Sequence, residues 1–381
     1  MNPKQLLPRA AEGTENYVAL RQEVRTFLRE CLNAGTFTPG IDTWLTDWDP
    51  QFSRRLAARG WIGMTIPVEY GGHGRSHIER FVVTEELLAA GAPVAAHWIA
   101  DRQIAPSLLR FGTEAQKHRY LPAIASGECY FGIGMSEPDS GSDLASVRTK
   151  AVRVEGGWRL TGTKVWTSGA HRAEAFFALA RTSPTDAADR HAGLSQFIVD
   201  LRSDGIGIRP IISMTGSHHF NEVVMDEVFV ADDMVLGTIG DGWRQVTSEL
   251  AFERSGPERF LSTFALLAAA AGQRGPADGD IGRLMARITG LHHMSAAVAG
   301  ALQRGERADS AAAAVKLLGT TTEGDIAEYA DLLLDRNTET GVARRYRELV
   351  DRAILQRPGF TLRGGTTEVL EGVVARELGL R

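Results

Sequence analysis

Apolar residues in the first third of the chain recur at three- and four-residue intervals, the spacing of one face of an α-helix. This spacing predicts an amphipathic helix over Tyr17–Leu32 and further helices over Ile78–Ala90 and Ile104–Phe111. Thr113, followed three residues later by Gln116, is typical of a helix N-cap with its capping partner. The chain is therefore expected to begin with a helical domain.

The periodicity changes to two between Cys129 and Asp232, as in strands whose positions are alternately buried and exposed. Gly156 and Gly157 separate two such segments and predict a two-residue hairpin turn. Short strands joined by glycine-rich turns favour a small β-sandwich or barrel. The predicted strands are Val152–Glu155, Trp158–Thr161, Phe197–Asp200 and Val223–Val230.

Helical spacing returns at about Gly242 and continues through the alanine-rich stretches at 268–271 and 311–314. Gln273–Asp280 is typical of a connection between two helices. The order of helices, strands and helices predicts an α+β fold in three parts. These are an N-terminal helical domain over residues 1–127, a middle β domain over 128–234 and a C-terminal four-helix-type bundle over 235–381.

Composition argues against several classes of function. The chain has 42 Lys and Arg against 47 Asp and Glu, a net charge of −5, so a nucleic-acid-binding protein is not expected. The longest apolar run, Phe264–Ala271, is well short of a membrane span, and the N-terminal residues lack the apolar core of a secretory signal. Cys31 and Cys129 stand far apart, without the spacing of a disulfide framework or a zinc site. We therefore expect a soluble, cytoplasmic protein that binds neither nucleic acid nor membrane.

Two segments have the composition of a ligand site. Phe131–Asp143 contains three glycines and three serines, whose N–H and hydroxyl groups can bind an anionic or carbonyl-rich ligand, although a surface turn has the same composition. In Gly162–Ala170, Trp166 is followed by Thr167 and Ser168. These residues offer a planar face and hydrogen bonds to a flat heteroaromatic ring, although a core tryptophan at the end of a strand is the alternative.

In order and spacing, these segments resemble the acyl-CoA dehydrogenase family, and the resemblance covers nearly the whole chain. It implies the family's fold and its activity, the FAD-dependent α,β-dehydrogenation of an acyl-CoA thioester to the trans-2-enoyl-CoA. The matching motifs are Gly60–Gly72, Phe111–Pro122 with Ala125–Glu128, Met135–Pro138 with Gly141–Asp143, and Trp166–Ser168.

The resemblance implies that FAD binds non-covalently to the middle domain and one C-terminal loop. Trp166 would pack on the flavin, Ser168 would bond near the ring nitrogen that receives hydride, and Ser142 would also line the substrate channel. The residues assigned to the cofactor are Met135, Ser136, Gly141, Ser142, Trp166, Ser168 and Thr366.

Removing the α-proton of a thioester requires a base held against the substrate. Many family members supply it as the glutamate of a C-terminal Tyr-Glu-Gly-Thr segment, but the corresponding residue here is Gly364. A minority place the base beside an arginine on the first helix of the C-terminal domain, a pattern that matches Glu253 and Arg254. The resemblance thus implies Glu253 as the catalytic base, with Arg254 and Gly364 at the substrate. Glu368 and Glu371 are expected on a solvated helix face instead.

Two motifs that serve the half of the family's FAD site shared between subunits are missing. Gln273–Arg283 lacks the Arg-x-x-Phe-Gly segment, and Leu355–Phe360 lacks Gln-x-x-Gly-Gly. The Gly-Gly-Thr-Thr-Glu ending and Gly216–Glu222 resemble actinobacterial-type members that act on steroid side chains or other bulky acyl-CoAs. Within the latter stretch, His218 and His219 lack a visible third metal ligand, so no metal site is expected and their role is interpreted as structural.

Three hypotheses remain open from the sequence. The protein is a self-sufficient dehydrogenase, a partner-dependent subunit of an unlike-subunit tetramer, or a flavin monooxygenase or oxidase on the same fold. Glu253 favours the first over the third, and the missing motifs favour the second. The resemblance further implies a homo- or hetero-oligomer, dimer or tetramer, whose electrons pass to electron-transfer flavoprotein or a similar acceptor.

Overall fold

The N- and C-terminal parts of the chain are helical, and the middle part forms strands. The computed structural model describes residues 8–10, 17–186, 188–274, 278–334 and 340–380. For residues 250–253 only the backbone is described. The helices of these residues are α1 (Val18–Asn33), α2 (Thr43–Thr46), α3 (Pro50–Ala57), α4 (His77–Ala89), α5 (Ala95–Ile99), α6 (Ala105–Phe111), α7 (Glu114–Ala125), α8 (Gly242–Arg254), α9 (Phe264–Arg274), α10 (Gly279–Gln303), α11 (Asp309–Leu332), α12 (Gly341–Leu362) and α13 (Thr367–Glu377). The strands are β1 (Phe131–Gly134), β2 (Lys150–Val154), β3 (Gly157–Lys164), β4 (Ala175–Arg181), β5 (Leu194–Asp200), β6 (Ile206–Ile212), β7 (His218–Ala231) and β8 (Val235–Leu236).

The chain divides into two compact units. The helical unit comprises Met1–Trp48, Arg75–Val94 and Ala251–Arg381, and the sheet unit comprises Asp49–Gly74 and Ala95–Leu250. The predicted α+β fold is confirmed, whereas the three predicted domain boundaries stay a prediction.

The helical unit is held together by the apolar faces that the spacing predicts. The stripe of α1 buries Val24, Phe27 and Leu28. Helices α4 and α10 meet through Phe81 and Ala296 in an apolar cluster. Helix α11 packs on α9, α10, α12 and α13, and α12 also packs on α9. Part of the predicted connection Gln273–Asp280 lies outside the described residues, but its ends finish α9 and start α10 as expected. Within the described part of the chain, every helix is too short or too polar to span a bilayer.

The sheet unit contains a mixed sheet with the strand order β6-β7-β3-β2-β4-β5-β8, and β1 pairs in parallel with β4. The prediction of the first hairpin was wrong by one residue, because Val154 pairs with Gly157 and the turn is therefore Glu155–Gly156. Gly156 has a φ of +74°, which suits glycine in the turn. Gly157 is needed within the strand, since a Cβ there would lie 2.3 Å from the carbonyl oxygen of Val230.

Two local features position the segments before and after β1. The predicted cap is confirmed, since the Thr113 hydroxyl accepts from the Gln116 N–H and starts α7. In β1, a Cβ on Gly134 would lie 2.4 Å from the Phe176 ring of β4, so glycine allows the two strands to pair. The segment that follows Gly134 is one of the predicted ligand segments.

Candidate active site

The loop after β1 is folded back on itself at its tip. The N–H of Glu137 donates to the Ser140 carbonyl at 2.8 Å, and the Ser140 N–H donates to the Glu137 carbonyl at 3.1 Å. Gly141 and Ser142 are exposed beyond this turn. A Cβ built on Gly141 would meet no atom within 4 Å. Open space therefore lies beside the backbone of this residue, which is predicted to bind the cofactor.

A buried ion pair fixes both ends of this loop. The Glu137 carboxylate accepts from the N–H groups of Arg148 at 2.6 Å and Thr149 at 2.9 Å, and from the Lys164 ammonium at 2.8 Å. Lys164 has no exposed side-chain surface and donates a second bond to the Met135 carbonyl at 3.2 Å. The backbone of Met135 is therefore positioned by a side chain of β3, the strand that leads to Trp166.

The ion pair stays charged at neutral pH. Burial lowers the pKa of Lys164 to about 8, and this shift is opposed by the Glu137 carboxylate. Burial by itself would raise the pKa of Glu137, but the Lys164 ammonium and the hydrogen bonds from Thr149 and Arg148 outweigh it and lower the pKa. A carboxylate and an ammonium thus face each other below the loop at pH 7.

Trp166 has the opposite environment to the core position that was the alternative interpretation. Its side chain is 56% exposed, with the Phe220 ring edge-on at 5.5 Å. Its φ of +61° is rare for a bulky residue. Thr167 and the fully buried Asn221 hold this backbone through two N–H to carbonyl bonds of 3.0 and 3.1 Å, and the Asn221 amide adds a third at 2.9 Å. A strained, exposed tryptophan fixed by its neighbours is a feature of ligand sites.

The histidines beside this segment serve the same backbone. His218 Nε2 lies 2.8 Å from the Asn221 Oδ1, and the ring of His171 stacks on that of His218 at 3.9 Å. The His219 carbonyl accepts from the Gly169 N–H, next to the half-buried Ser168. Among the described residues, no group of three or more His, Cys, Asp or Glu side chains could hold a metal. Their hydrogen bonds support the structural interpretation of His218 and His219.

In the helical unit, the structure joins two residues that are 110 positions apart in the sequence. The Nε of Arg254, at the end of α8, donates to the Gly364 carbonyl at 2.8 Å. Gly364 and Gly365 have φ values of +68° and +102°, a turn that favours glycine at both positions. Thr366 then caps α13 by accepting from the Val369 N–H. The two substrate residues predicted in this unit, Arg254 and Gly364, are therefore in direct contact.

The proposed base belongs to the same helix end. Glu253 precedes Arg254 in α8, but its side chain lies outside the described residues. Glu368 and Glu371 lie on α13 and are exposed, as predicted. The predicted cofactor residues Met135, Ser136, Gly141, Ser142, Trp166 and Ser168 belong to the sheet unit, and Arg254, Gly364 and Thr366 belong to the helical unit.

Sequence reasoning missed the residues that hold these loops. Glu137 and Lys164 lie inside the motifs that were singled out, yet neither was assigned a role. Asn221 and Lys316 were not considered, although a lysine inside the apolar run of α11 is a signal of a buried, bonded cation.

Comparison with known proteins agrees with this geometry. The N-terminal domain of acyl-CoA dehydrogenases matches residues 14–128, and the middle domain of acyl-CoA dehydrogenases matches residues 132–228. The chain belongs to the acyl-CoA dehydrogenase family. The family and the fold predicted from the motifs are therefore confirmed. Members of this family are flavoprotein oxidoreductases that usually carry FAD.

Relatives differ in how much of their length the chain covers. It is 46% identical over 203 residues to acyl-CoA dehydrogenase FadE34 of Mycobacterium tuberculosis, an alignment that covers 52% of this chain and 27% of FadE34. It is 36% identical over 340 residues to acyl-CoA dehydrogenase FadE29 of the same organism, covering 84% of this chain and 86% of FadE29. Among solved structures, the Tcur3481–Tcur3483 steroid ACAD superposes with a TM-score of 0.83 at 29% identity, over 96% of this chain and 97% of that one.

Proposed function

We propose that the protein is an FAD-dependent acyl-CoA dehydrogenase that converts an acyl-CoA thioester to the trans-2-enoyl-CoA, with Glu253 as the base. The observation that carries this proposal is the hydrogen bond from Arg254 to the Gly364 carbonyl. It joins the end of the helix that carries Glu253 to the loop from which many relatives supply their glutamate. Gly364 has no carboxylate, but Glu253, the residue before Arg254, has one. A base on α8 would thus replace the base that the Gly364 loop lacks.

The residues of the sheet unit fit a flavin. Trp166 offers an exposed indole face, and Ser136, Ser142 and Ser168 offer hydroxyl donors at partly or fully exposed positions. The open space beside Gly141 leaves its backbone accessible to a ligand. FAD, when bound, supplies the oxidising chemistry by accepting the hydride from the substrate β-carbon.

The remaining chemistry belongs to side chains and backbone of the helical unit. Glu253 takes the α-proton of the thioester, and a base of this type works best when water is excluded around it. The backbone N–H near Gly364 donates to the thioester oxygen as negative charge develops there. Arg254 fixes the direction of this turn through the Gly364 carbonyl.

Substrate and acceptor are inferred from the relatives. The similarity to a steroid ACAD supports a bulky acyl group, such as a steroid side chain, rather than a short straight chain. Electron-transfer flavoprotein or a similar protein would take the electrons.

A second candidate function is that of a partner-dependent subunit. The chain lacks the two family motifs that complete the FAD site between subunits, and the steroid ACAD it resembles is named for two components. The side chains of Leu318, Leu355 and Leu362 on α11 and α12 are between 41% and 61% exposed, which supports an interface with another chain, like or unlike.

The visible spectrum of the protein purified alone, with FAD quantified per chain, tests both candidates. We expect close to one FAD per chain and anaerobic bleaching by at least one of butyryl-CoA, octanoyl-CoA and a steroid side-chain acyl-CoA, with the matching free acid as the control. Colourless protein that takes up no added FAD would favour the partner-dependent subunit. Bound flavin that no acyl-CoA bleaches, but that oxygen reoxidises rapidly after chemical reduction, would favour the oxidase alternative.

A further inference from the structure

The turn that carries Gly364 is fixed at several consecutive residues. The Arg363 guanidinium binds the buried carboxylate of Asp42 with two bonds of 2.6 and 3.0 Å. Gly364 and Gly365 then adopt positive φ values, and Thr366 starts α13 as its N-cap. The side chain of Arg363 and the carbonyl of Gly364 are thus bonded to distant segments of the helical unit, and Thr366 is bonded to the helix that it starts.

Lys316 of α11 provides one of these ties. Its side chain has no exposed surface, and its Nζ donates to the Gly365 carbonyl at 2.8 Å. Three residues later in α11, Gly319 allows the helix to lie against the backbone of Arg259, because a Cβ there would lie 2.2 Å from the Arg259 carbonyl oxygen. Lys316 therefore places a buried ammonium directly against the backbone of the turn.

The geometry of a trans peptide decides where the N–H groups of the turn point. The N–H of each residue points away from the carbonyl of the residue before it. Arg254 holds the Gly364 carbonyl and Lys316 holds the Gly365 carbonyl, so the N–H groups of Gly365 and Thr366 are directed away from the two cations. A cation bound to a carbonyl also polarises the peptide and strengthens its N–H as a donor.

We propose that Lys316 is a positioning residue for the dehydrogenation, which orients and polarises the Gly364–Thr366 turn so that its backbone N–H groups stabilise negative charge on the thioester oxygen. Lys316 does not touch the substrate and acts through the Gly365 carbonyl. This inference rests on the proposed function, because it requires that a thioester binds at this turn.

The test compares Lys316→Met, which keeps the length of the side chain but removes the charge and the donors, with the wild-type holoenzyme. We expect kcat to fall about tenfold or more, while the Kd for the acyl-CoA changes by less than about threefold, because charge on the oxygen develops mainly in the transition state. Lys316→Arg, which keeps a cation, should recover part of the rate. Lys150→Met removes an exposed lysine of β2 and should leave kcat unchanged.

A spectroscopic signature separates positioning from a general loss of stability. The enoyl-CoA product, labelled with ¹³C at the thioester carbonyl, is bound to each holoenzyme, and its carbonyl stretch is measured by isotope-edited infrared spectroscopy. We expect the band to be lowered in the wild type and to move back towards its solution frequency in Lys316→Met. Lys316→Gln, which retains an N–H donor without the charge, is made alongside and should give an intermediate band.

The outcomes distinguish this inference from the proposed function. Folded, FAD-loaded Lys316→Met with the wild-type kcat and the wild-type carbonyl frequency would overturn the role of Lys316 alone. A wild-type protein that neither binds nor oxidises any acyl-CoA would overturn the proposed function and this inference with it.

Discussion

The Nζ of Lys164 lies 2.8 Å from the Oε1 of Glu137, and neither side chain is more than 7% exposed. The pair connects three segments, because Glu137 also accepts from the N–H groups of Arg148 and Thr149, and Lys164 also donates to the Met135 carbonyl. Truncating one partner of such a pair leaves the other charge buried without compensation. The ion pair therefore couples the stability of the sheet unit to the shape of the proposed flavin loop.

The first prediction is that Lys164→Met weakens FAD binding as well as folding. We expect the free energy of unfolding to fall by about 3–5 kcal/mol and the Kd for FAD, measured by quenching of flavin fluorescence, to rise about tenfold or more, since the Met135 backbone loses its tie. Replacing both partners, as in Lys164→Met with Glu137→Leu, should cost less than the sum of the two single changes.

Lys150→Met is the control for this experiment, because Lys150 is exposed on a neighbouring strand of the same sheet. It should change neither quantity measurably. If the losses of stability in Lys164→Met and Glu137→Leu add up in the double variant, the two charges act independently, which would contradict the coupling.

The second prediction concerns the base. Glu253→Gln should abolish turnover while FAD stays bound, because the amide cannot accept the α-proton. The measurement is anaerobic flavin bleaching by an acyl-CoA that the wild type oxidises, together with the FAD content of both proteins. Glu371→Gln, an exposed carboxylate on α13, is the matched control and should bleach like the wild type. Full activity of Glu253→Gln would remove Glu253 as the base.

The third prediction concerns the glycine turn. Gly365 has a φ of +102°, and a Cβ there would lie 3.0 Å from Nη2 of Arg254. Gly365→Ala should therefore strain the backbone and displace the Arg254 guanidinium from the Gly364 carbonyl, lowering kcat about tenfold or more with little change in FAD content.

Gly305→Ala separates the two effects of that substitution. Gly305 has a φ of +70°, and its Cβ would meet no atom within 4 Å. It should cost about 1 kcal/mol of stability through the backbone alone and leave kcat unchanged. Equal kcat values for Gly305→Ala and Gly365→Ala would refute the link between the turn and Arg254.

The parts of the molecule that follow from local spacing could be predicted from the sequence. The apolar stripe of α1, the Thr113 cap and the alternation of buried and exposed positions in β7 each depend on interactions a few residues apart, and each was found in place. The alternation predicted for Phe197–Asp200 was wrong, because β5 lies inside the sheet and is buried at six consecutive positions. The first hairpin was missed by one residue because Gly157 belongs to the strand, where the absence of a Cβ makes room for the Val230 carbonyl, a contact between distant segments.

The same distinction applies to the candidate site. The motif resemblance selected Trp166, but its left-handed backbone depends on Asn221, which lies on another strand. The resemblance also selected Arg254 and Gly364 separately, while their contact exists only after the helical unit has folded. Buried cations such as Lys164 and Lys316 are visible in the sequence only as lysines, because their bonding partners come from distant segments.

The fourth prediction uses a buried carboxyl group beside the same turn. Glu323 of α11 is 1% exposed, and its Oε1 accepts from the Ser262 N–H at 2.7 Å. Burial raises its pKa from 4.5 to about 8, helped by the negative charge of Asp42 and opposed by the Ser262 hydrogen bond and the Arg363 guanidinium. Glu323 is therefore protonated in the folded protein at pH 7.

The sign of the pH dependence follows from this shift. Between about pH 4.5 and pH 8 the folded state holds a proton on Glu323 that the unfolded state has released. Stability thus falls as the pH rises through this range, by up to about 1.4 kcal/mol per pH unit from this group. Glu323→Gln keeps the shape of the neutral carboxyl group but has no proton to lose. It should therefore become increasingly more stable than the wild type from pH 5 to pH 8, reaching a difference of a few kcal/mol, which stays constant at higher pH.

Urea denaturation of both proteins at pH 5, 6, 7 and 8 measures this difference, with Glu371→Gln as the exposed control. A difference that does not change with pH would show that Glu323 is ionised in the folded protein, held by Arg363 against the repulsion of Asp42.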